Sequence, residues 1–446
     1  MPSRVTTVFA CQSCGSASPK WLGRCPECGE WNSYVEEVRG PLAVSPEEVS
    51  NVPTALGAAE AEARAGTGMP GLDRVLGGGL VAGSVVLLGG EPGIGKSTFL
   101  LQAARCLAAG NGEVLYATAE ESAAQVRMRA ERLGIREETL LLFAETDVTR
   151  IVAGAERRSP SLLIVDSIQA VRAPELSSAA GTVSQVRECA SLLLRYAKSR
   201  GVPVILIGHV TKDGSLAGPK SLEHLVDTVV TLEGERTSLR RLLRATKNRF
   251  GPVDELALYD MTGEGLAEIA NPSAALLAER RQGLPGSAVT ATREGSRCLL
   301  VEIQALVGPA MAGSPRRVAI GVDGGRLALL LAVLEGAGLP LASREVFVSC
   351  AGGLEAGEPA ADLAVVAALV SSARGRPIPG DVVCFGEIGL LGEVRRVPAA
   401  GSRLKEAAAM GFSTVYLPAG DAAEAARFQD LAIRPVDRVA EFVKVL

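Results

Sequence analysis

Aromatic residues make up only 4% of this 446-residue chain, which contains two tryptophans and two histidines. Cores without large rings must be built from small aliphatic side chains. Here 50 glycines and a mean hydropathy of +0.23 fit a soluble α/β protein. No apolar run reaches the roughly 20 residues of a membrane span, and the opening MPSRVTTVFA lacks a signal-peptide core. The expected place of action is therefore the cytoplasm, with no membrane partner. A large charge of either sign is also missing: the net value is −4, so any nucleic-acid contact falls to local basic patches. The length allows two or three domains, each able to bury its own core.

Nine cysteines are present, but their placement argues against a disulfide framework. Four lie between residues 11 and 28, and Cys106, Cys189, Cys298, Cys350 and Cys384 are scattered singly. The clustered four read Cys11-Gln-Ser-Cys14 and Cys25-Pro-Glu-Cys28, two CxxC pairs ten residues apart. A two-residue gap lets both thiolates of a tight turn reach one tetrahedral ion, and zinc is the default ion for four sulfurs. Gly15 and Gly29 follow directly, where the backbone must bend around the metal. A ribbon this short cannot fold without its ion, so the zinc is structural first. Trp21 and Trp31 flank the second pair; either they stack on bases or, as we expect, they form the apolar cap of the ribbon. Residues 38–66 mix proline, glycine, alanine and acid without sustained period and read as a linker.

Gly90-Glu91-Pro92-Gly93-Ile94-Gly95-Lys96-Ser97-Thr98 satisfies the pattern GxxxxGK[ST]. A buried strand precedes it (84–89) and a helical stretch follows it up to Asn111-Gly112. In such a loop the backbone N–H groups wrap the phosphates of ATP, Lys96 reaches the β/γ oxygens and Ser97 holds Mg2+. A second apolar strand, SLLIVDS (161–167), ends in Asp166, suited to hold Mg2+ through water. A third, GEVLYATAEES (112–122), ends in Glu120 and Glu121, where a base for hydrolysis of the γ-phosphate belongs; the plainer reading is a solvated strand end.

A fourth strand, VPVILIGHVTK (202–212), carries His209 at its tip, either a satisfied core or surface residue or a sensor of bound nucleotide. The polar, glycine-containing stretches 172–188 and 211–227 sit where loops either approach a nucleic-acid backbone or are simply mobile. Lys247 and Arg249 of KNRFG lie one residue apart. On a strand they share a side and suit one polyphosphate, although a solvated basic strand explains the spacing equally well.

Together these stretches resemble the bacterial RadA (Sms) family of DNA-repair ATPases, over essentially the whole chain. The carriers are CPECGEWNS, GLDRVLGGGLVAGSVVLLGGEPGIGKST, AEES, LLIVDSIQ, GHVTKDGSLAGPKSLEHLVD and, most specific, KNRFG. The resemblance implies a RecA-like P-loop core and a hexameric, DNA-stimulated ATPase that moves on single-stranded DNA and extends recombination branches, with recombinase or replisome proteins as possible partners. It also implies that Glu120 is the catalytic glutamate, His209 the nucleotide sensor, and Lys247 and Arg249 cations acting on ATP of the next subunit. Ala119 stands where the family pattern expects glycine.

From about residue 285 a new series of strands and helices is similar to the proteolytic domain of Lon proteases, a serine–lysine fold. Aligning Pro359 puts Ala360 at the serine, and anchoring on AAAMGFSTVYLP puts Gly401 at the lysine. An alanine offers no nucleophile and a glycine no base, so acyl chemistry has no agents there. Ser371, Ser372 and Lys405 read as helix-surface residues. The expected organisation is a four-cysteine zinc ribbon (1–37), a linker (38–66), a RecA-like ATPase domain (67–270), a linker (271–284) and an inactive Lon-like α/β domain (285–446). Competing readings are an ATP-dependent protease, which the missing dyad opposes, and a P-loop signalling or clock-type regulator, which leaves the ribbon and KNRFG unexplained.

Overall fold

The computed structural model describes residues 6–39, 64–110, 112–208, 221–234, 239–253, 255–310, 314–353 and 355–446. The chain divides into two compact units, Met1–Glu268 and Ile269–Leu446.

The first unit opens with a three-stranded antiparallel ribbon, β1 (Thr6–Cys11), β2 (Ala17–Ser18) and β3 (Tyr34–Arg39), in the order β2-β1-β3. A small pair, β4 (Arg64–Ala65) and β5 (Leu80–Val81), brackets α1 (Pro70–Val75). The main series runs β6 (Val85–Gly89), α2 (Lys96–Ala109), β7 (Val114–Thr118), α3 (Ala123–Arg132), β8 (Leu140–Ala144), α4 (Val148–Arg158), β9 (Leu162–Asp166), α5 (Val183–Arg200), β10 (Val204–Ile207) and α6 (Ser221–Leu225). It closes with β11 (Thr228–Glu233), β12 (Arg240–Asn248), β13 (Leu256–Thr262) and β14 (Gly265–Glu268).

These strands form one sheet in the order β14-β13-β12-β11-β6-β10-β9-β7-β8. From β11 through β8 every pairing is parallel, while β12, β13 and β14 extend the sheet antiparallel. Parallel strands covered on both faces read as unbroken apolar runs, and β6, β7, β9 and β10 are buried along their whole length. One aliphatic core fills each face. The order matters for chemistry. Because β10 lies between β6 and β9, the phosphate-loop strand and the Asp166 strand end one strand apart on the same edge of the sheet, and β7 delivers Glu120 beside β9.

The second unit runs α7 (Pro272–Leu277), β15 (Ser287–Glu294), β16 (Arg297–Ala310), β17 (Arg317–Ile320), α8 (Gly324–Gly336), β18 (Arg344–Cys350), α9 (Asp362–Arg374), β19 (Val382–Cys384), β20 (Glu387–Ile388), β21 (Val394–Arg395), α10 (Ala400–Ala409), β22 (Thr414–Pro418), α11 (Ala422–Ala425), β23 (Ala432–Val436) and α12 (Val439–Val445). Its mixed sheet has the order β17-β18-β16-β15-β19-β22-β23. Residues 271–284, expected as a linker, contain α7 instead. Asn271 caps that helix, Ser273 and Leu276 are buried, and the Leu300 amide donates to Ser273 Oγ at 3.1 Å. Of the expected helix-surface serines, Ser371 is buried and Ser372 half-buried. Ser371 Oγ accepts from the Gly286 amide and donates to the Arg376 carbonyl, and Ser372 Oγ accepts from the Val307 amide, so both tie α9 to its neighbours. Lys405 is exposed, as expected.

Candidate functional site

In the ribbon, all four cysteine sulfurs lie within 4.8 Å of one another, and none is in a disulfide. Cys11 and Cys28 are 3.6 Å apart, and Cys14 and Cys25 are 3.5 Å apart. Zn–S bonds of about 2.3 Å in a tetrahedron require S···S separations of about 3.8 Å, so the cage fits zinc. Each knuckle turns back on itself, with Gly15 N–H bonded to Cys11 O and Gly29 N–H to Cys25 O. Both glycines have φ near +75°, a conformation that a side chain would strain. The four thiols divide: burial resists ionisation of Cys25 but the Cys28 amide and the Tyr34 hydroxyl bring it down to about 6, whereas burial pushes Cys14 up to about 12.

The tryptophans do not cap this core. Trp21 is 52% and Trp31 67% exposed, because the thiols already pack with Phe9, Leu22 and Tyr34. The Arg24 guanidinium lies 5.7 Å from the Trp31 ring centre instead.

The phosphate loop takes the expected strand–loop–helix form. Gly95, at φ +114°, caps α2. Lys96 is buried, and its Nζ donates to Gly90 O at 2.7 Å and to Glu91 O at 2.9 Å, which holds the ammonium inside the loop. Burial lowers its pKa, opposed by Asp166 and Glu120. Gly93 has φ +81°, a conformation that a side chain would strain. Ile94 O also accepts from Nε of Arg241, which is buried on β12.

Asp166 is 5% exposed at the end of β9. Burial pushes its carboxyl upward, hydrogen bonds from Tyr116 and Ser97 oppose this, and Glu120 and Glu121 add to the rise. Glu120 accepts a hydrogen bond from Ser167 Oγ. Glu121 is turned away in a two-pronged pair with Arg129 of α3, at 2.7 and 2.6 Å. The two adjacent glutamates therefore differ: Glu121 is neutralised, and Glu120 stands beside Asp166 and Lys96. Tyr116 and Arg129 escaped the sequence reading because a tyrosine in a buried strand and an arginine on an amphipathic helix carry no motif.

Lys247 and Arg249 converge on one neighbourhood, but differently. Lys247 Nζ donates to the Glu223 and Val226 carbonyls at 2.5 and 2.7 Å and so caps the end of α6. Arg249 is 57% exposed and touches Asp227 at 3.4 Å. Asp227 is already engaged by Lys198 and by the Val85 amide, both at 3.0 Å. His209 lies outside the described residues, as does most of the second polar loop. In the first, after β9, the buried Gln185 side chain bonds the backbone of Ala173, Leu176 and Ser178. Ser177 Oγ of that loop donates to Glu36 O of the ribbon at 3.4 Å.

In the second unit Ala360 is buried, and Gly401 stands at the start of α10 with its amide donating to Glu424 Oε1 at 3.0 Å. A side chain at Gly401 would meet that oxygen at 2.6 Å. Close by, the wholly buried Arg403 guanidinium pairs with Glu358 at 2.6 and 2.7 Å.

Three family models match parts of the chain. The AAA domain model matches residues 53–215, the rubredoxin metal-binding domain residues 9–36, and the Lon protease (S16) C-terminal proteolytic domain residues 344–446. DNA repair protein RadA of Bacillus subtilis (strain 168) is 46% identical over 454 residues, which cover 99% of both chains. That of Pseudomonas aeruginosa is 48% identical over 94% of both, and that of Escherichia coli K12 is 47% identical over 93% of this chain and 92% of its own. Among solved structures, a KaiC-like protein of Pyrococcus horikoshii OT3 covers 47% of this chain at 22% identity with a TM-score of 0.40.

Proposed function

Because this chain belongs to the RadA family of bacterial DNA repair proteins, we propose that it is a ring-forming motor that uses ATP to move along single-stranded DNA and extend recombination branches. It is an ATP hydrolase of recombinational repair, with a RecA-like core, Mg2+ as the ion of hydrolysis and Zn2+ in its ribbon.

The observation that carries the proposal is the division of labour at the ends of β6, β7 and β9. Gly90–Thr98 cradle the phosphates, and Lys96 exchanges its two carbonyl partners for phosphate oxygens. Ser97 and Asp166, which are hydrogen-bonded to each other, would hold Mg2+, and the ion would supply positive charge to offset that of the phosphates. Glu120, steadied by Ser167, takes the proton of the attacking water. Charge still developing on the γ-phosphate needs a further cation. Lys247 is committed to the end of α6, so Arg249, exposed and with one long side-chain contact among the described residues, is the group that reaches the ATP of the neighbouring subunit. His209 is the nucleotide sensor in this reading. The Gln185-bound loop, which touches the ribbon, is the stretch we assign to DNA contact. With Ala360 and Gly401 at the dyad positions, the Lon-like unit is a scaffold for assembly, and the site of action is the cytoplasm.

The deciding experiment is strand displacement on forked DNA carrying a single-stranded arm, with ATP. The proposal expects displacement that Lys96→Ala eliminates. Casein degradation, or hydrolysis of ATP without any movement of DNA, would contradict it.

A further inference from the structure

Tyr116 belongs to none of the motifs that identify the site, yet it touches the residue on which the site turns. On β7 it pairs in register with Ile164, and Thr118 pairs with Asp166. Residues two apart on a strand share a face, so the phenol lies on the same side of the sheet as Thr118. The ring is completely buried, and its hydroxyl donates to Asp166 Oδ2 at 2.6 Å, a short bond of the charge-assisted kind.

The need for such a donor follows from crowding. Three carboxylates meet at this end of the sheet, and each carries its own restraint: Arg129 on Glu121, Ser167 on Glu120, and Tyr116 with Ser97 on Asp166. The terminal torsion of an aspartate is soft. Unrestrained, the Asp166 carboxylate would be free to swing in the space between Lys96 and Glu120. Holding Oδ2 fixes the carboxylate plane and therefore fixes where Oδ1 stands.

We infer that Tyr116 is a positioning residue for Asp166, and that its hydroxyl sets the affinity of the site for the Mg2+ that accompanies ATP. Groups that orient a metal-holding carboxylate typically account for about ten- to a hundredfold in metal affinity. Asp166 acts through water, so the lower end applies. The inference rests on the assignment of Asp166 to Mg2+.

The test uses the full-length Tyr116→Phe variant, which removes one oxygen and keeps the ring. Binding of a fluorescent, non-hydrolysable ATP analogue is measured in EDTA and then across a Mg2+ series, with ATP hydrolysis followed over the same series. The expected result is an affinity in EDTA within about twofold of the parent. The Mg2+ concentration for half-maximal tightening should rise about tenfold, and hydrolysis should recover as Mg2+ increases. An unchanged Mg2+ midpoint overturns the inference, as does a parallel loss of affinity in EDTA, which marks a merely structural tyrosine. Failure of the parent protein itself to bind the analogue would strike the ATPase assignment instead.

Discussion

Replacing Arg403 by methionine tests how much one internal ion pair contributes to the stability of the Lon-like unit. The side chain is wholly buried. Its guanidinium bonds both oxygens of Glu358 and the carbonyls of Ala291 and Pro398, and lies 5.9 Å from the Phe385 ring centre. Glu358 in turn accepts from the Arg293 amide at 2.7 Å. Glu358 keeps 25% of its side chain exposed. Removing the guanidinium therefore strands a partly solvated charge and costs about 3 kcal/mol, the low end for a buried pair. For a unit of this size each kcal/mol moves the midpoint by about 2–4 °C, so the transition of the second unit should fall by about 10 °C. Calorimetry of the full chain resolves it, because ATP should raise the first unit's transition and leave this one in place. The double variant Arg403→Met, Glu358→Leu should recover most of the loss, since an apolar replacement of a buried pair is often neutral. A single variant within about 2 °C of the parent, or a double variant no better than the single, would refute the reasoning.

Two further perturbations address the ribbon and the ring. Stripping zinc from reduced protein should release one ion per chain and change the tryptophan emission, because both tryptophans lie on the ribbon, while the rest of the fold persists; freshly purified protein without zinc would defeat the assignment. Arg249→Ala should bind ATP nearly as the parent does but hydrolyse it about 10³-fold more slowly, and mixing it with Lys96→Ala chains should restore activity at interfaces pairing an intact loop with an intact arginine; no rescue on mixing counts against action in trans.

The parts legible in the sequence are those where a small ion or a phosphate dictates spacing. Two CxxC turns, a GxxxxGKS loop between strand and helix, and aspartate or glutamate at the ends of apolar strands each follow from the reach of a ligand. The illegible parts depend on tertiary neighbours. Tyr116 looks like any core residue until β9 places Asp166 beside it, and Arg129 finds Glu121 only because α3 folds back over the strand end. Trp21 and Trp31 are exposed because cysteine sulfur, not indole, fills so small a core. Ser371 reads as surface in a helical pattern, yet α9 is buried along most of its length and needs that hydroxyl to satisfy the Gly286 amide. Lys247 illustrates a different limit: a one-residue spacing from Arg249 cannot reveal that α6 ends within its reach.

The central claim is that hydrolysis of ATP serves movement on DNA. The most direct measurement is the steady-state ATPase rate of the full chain with and without single-stranded DNA, with Lys96→Ala as the control. The account predicts a rate that single-stranded DNA raises several-fold above that of the protein alone, and no turnover in the variant under either condition. A parent rate indifferent to DNA, or wild-type turnover in Lys96→Ala, would contradict it.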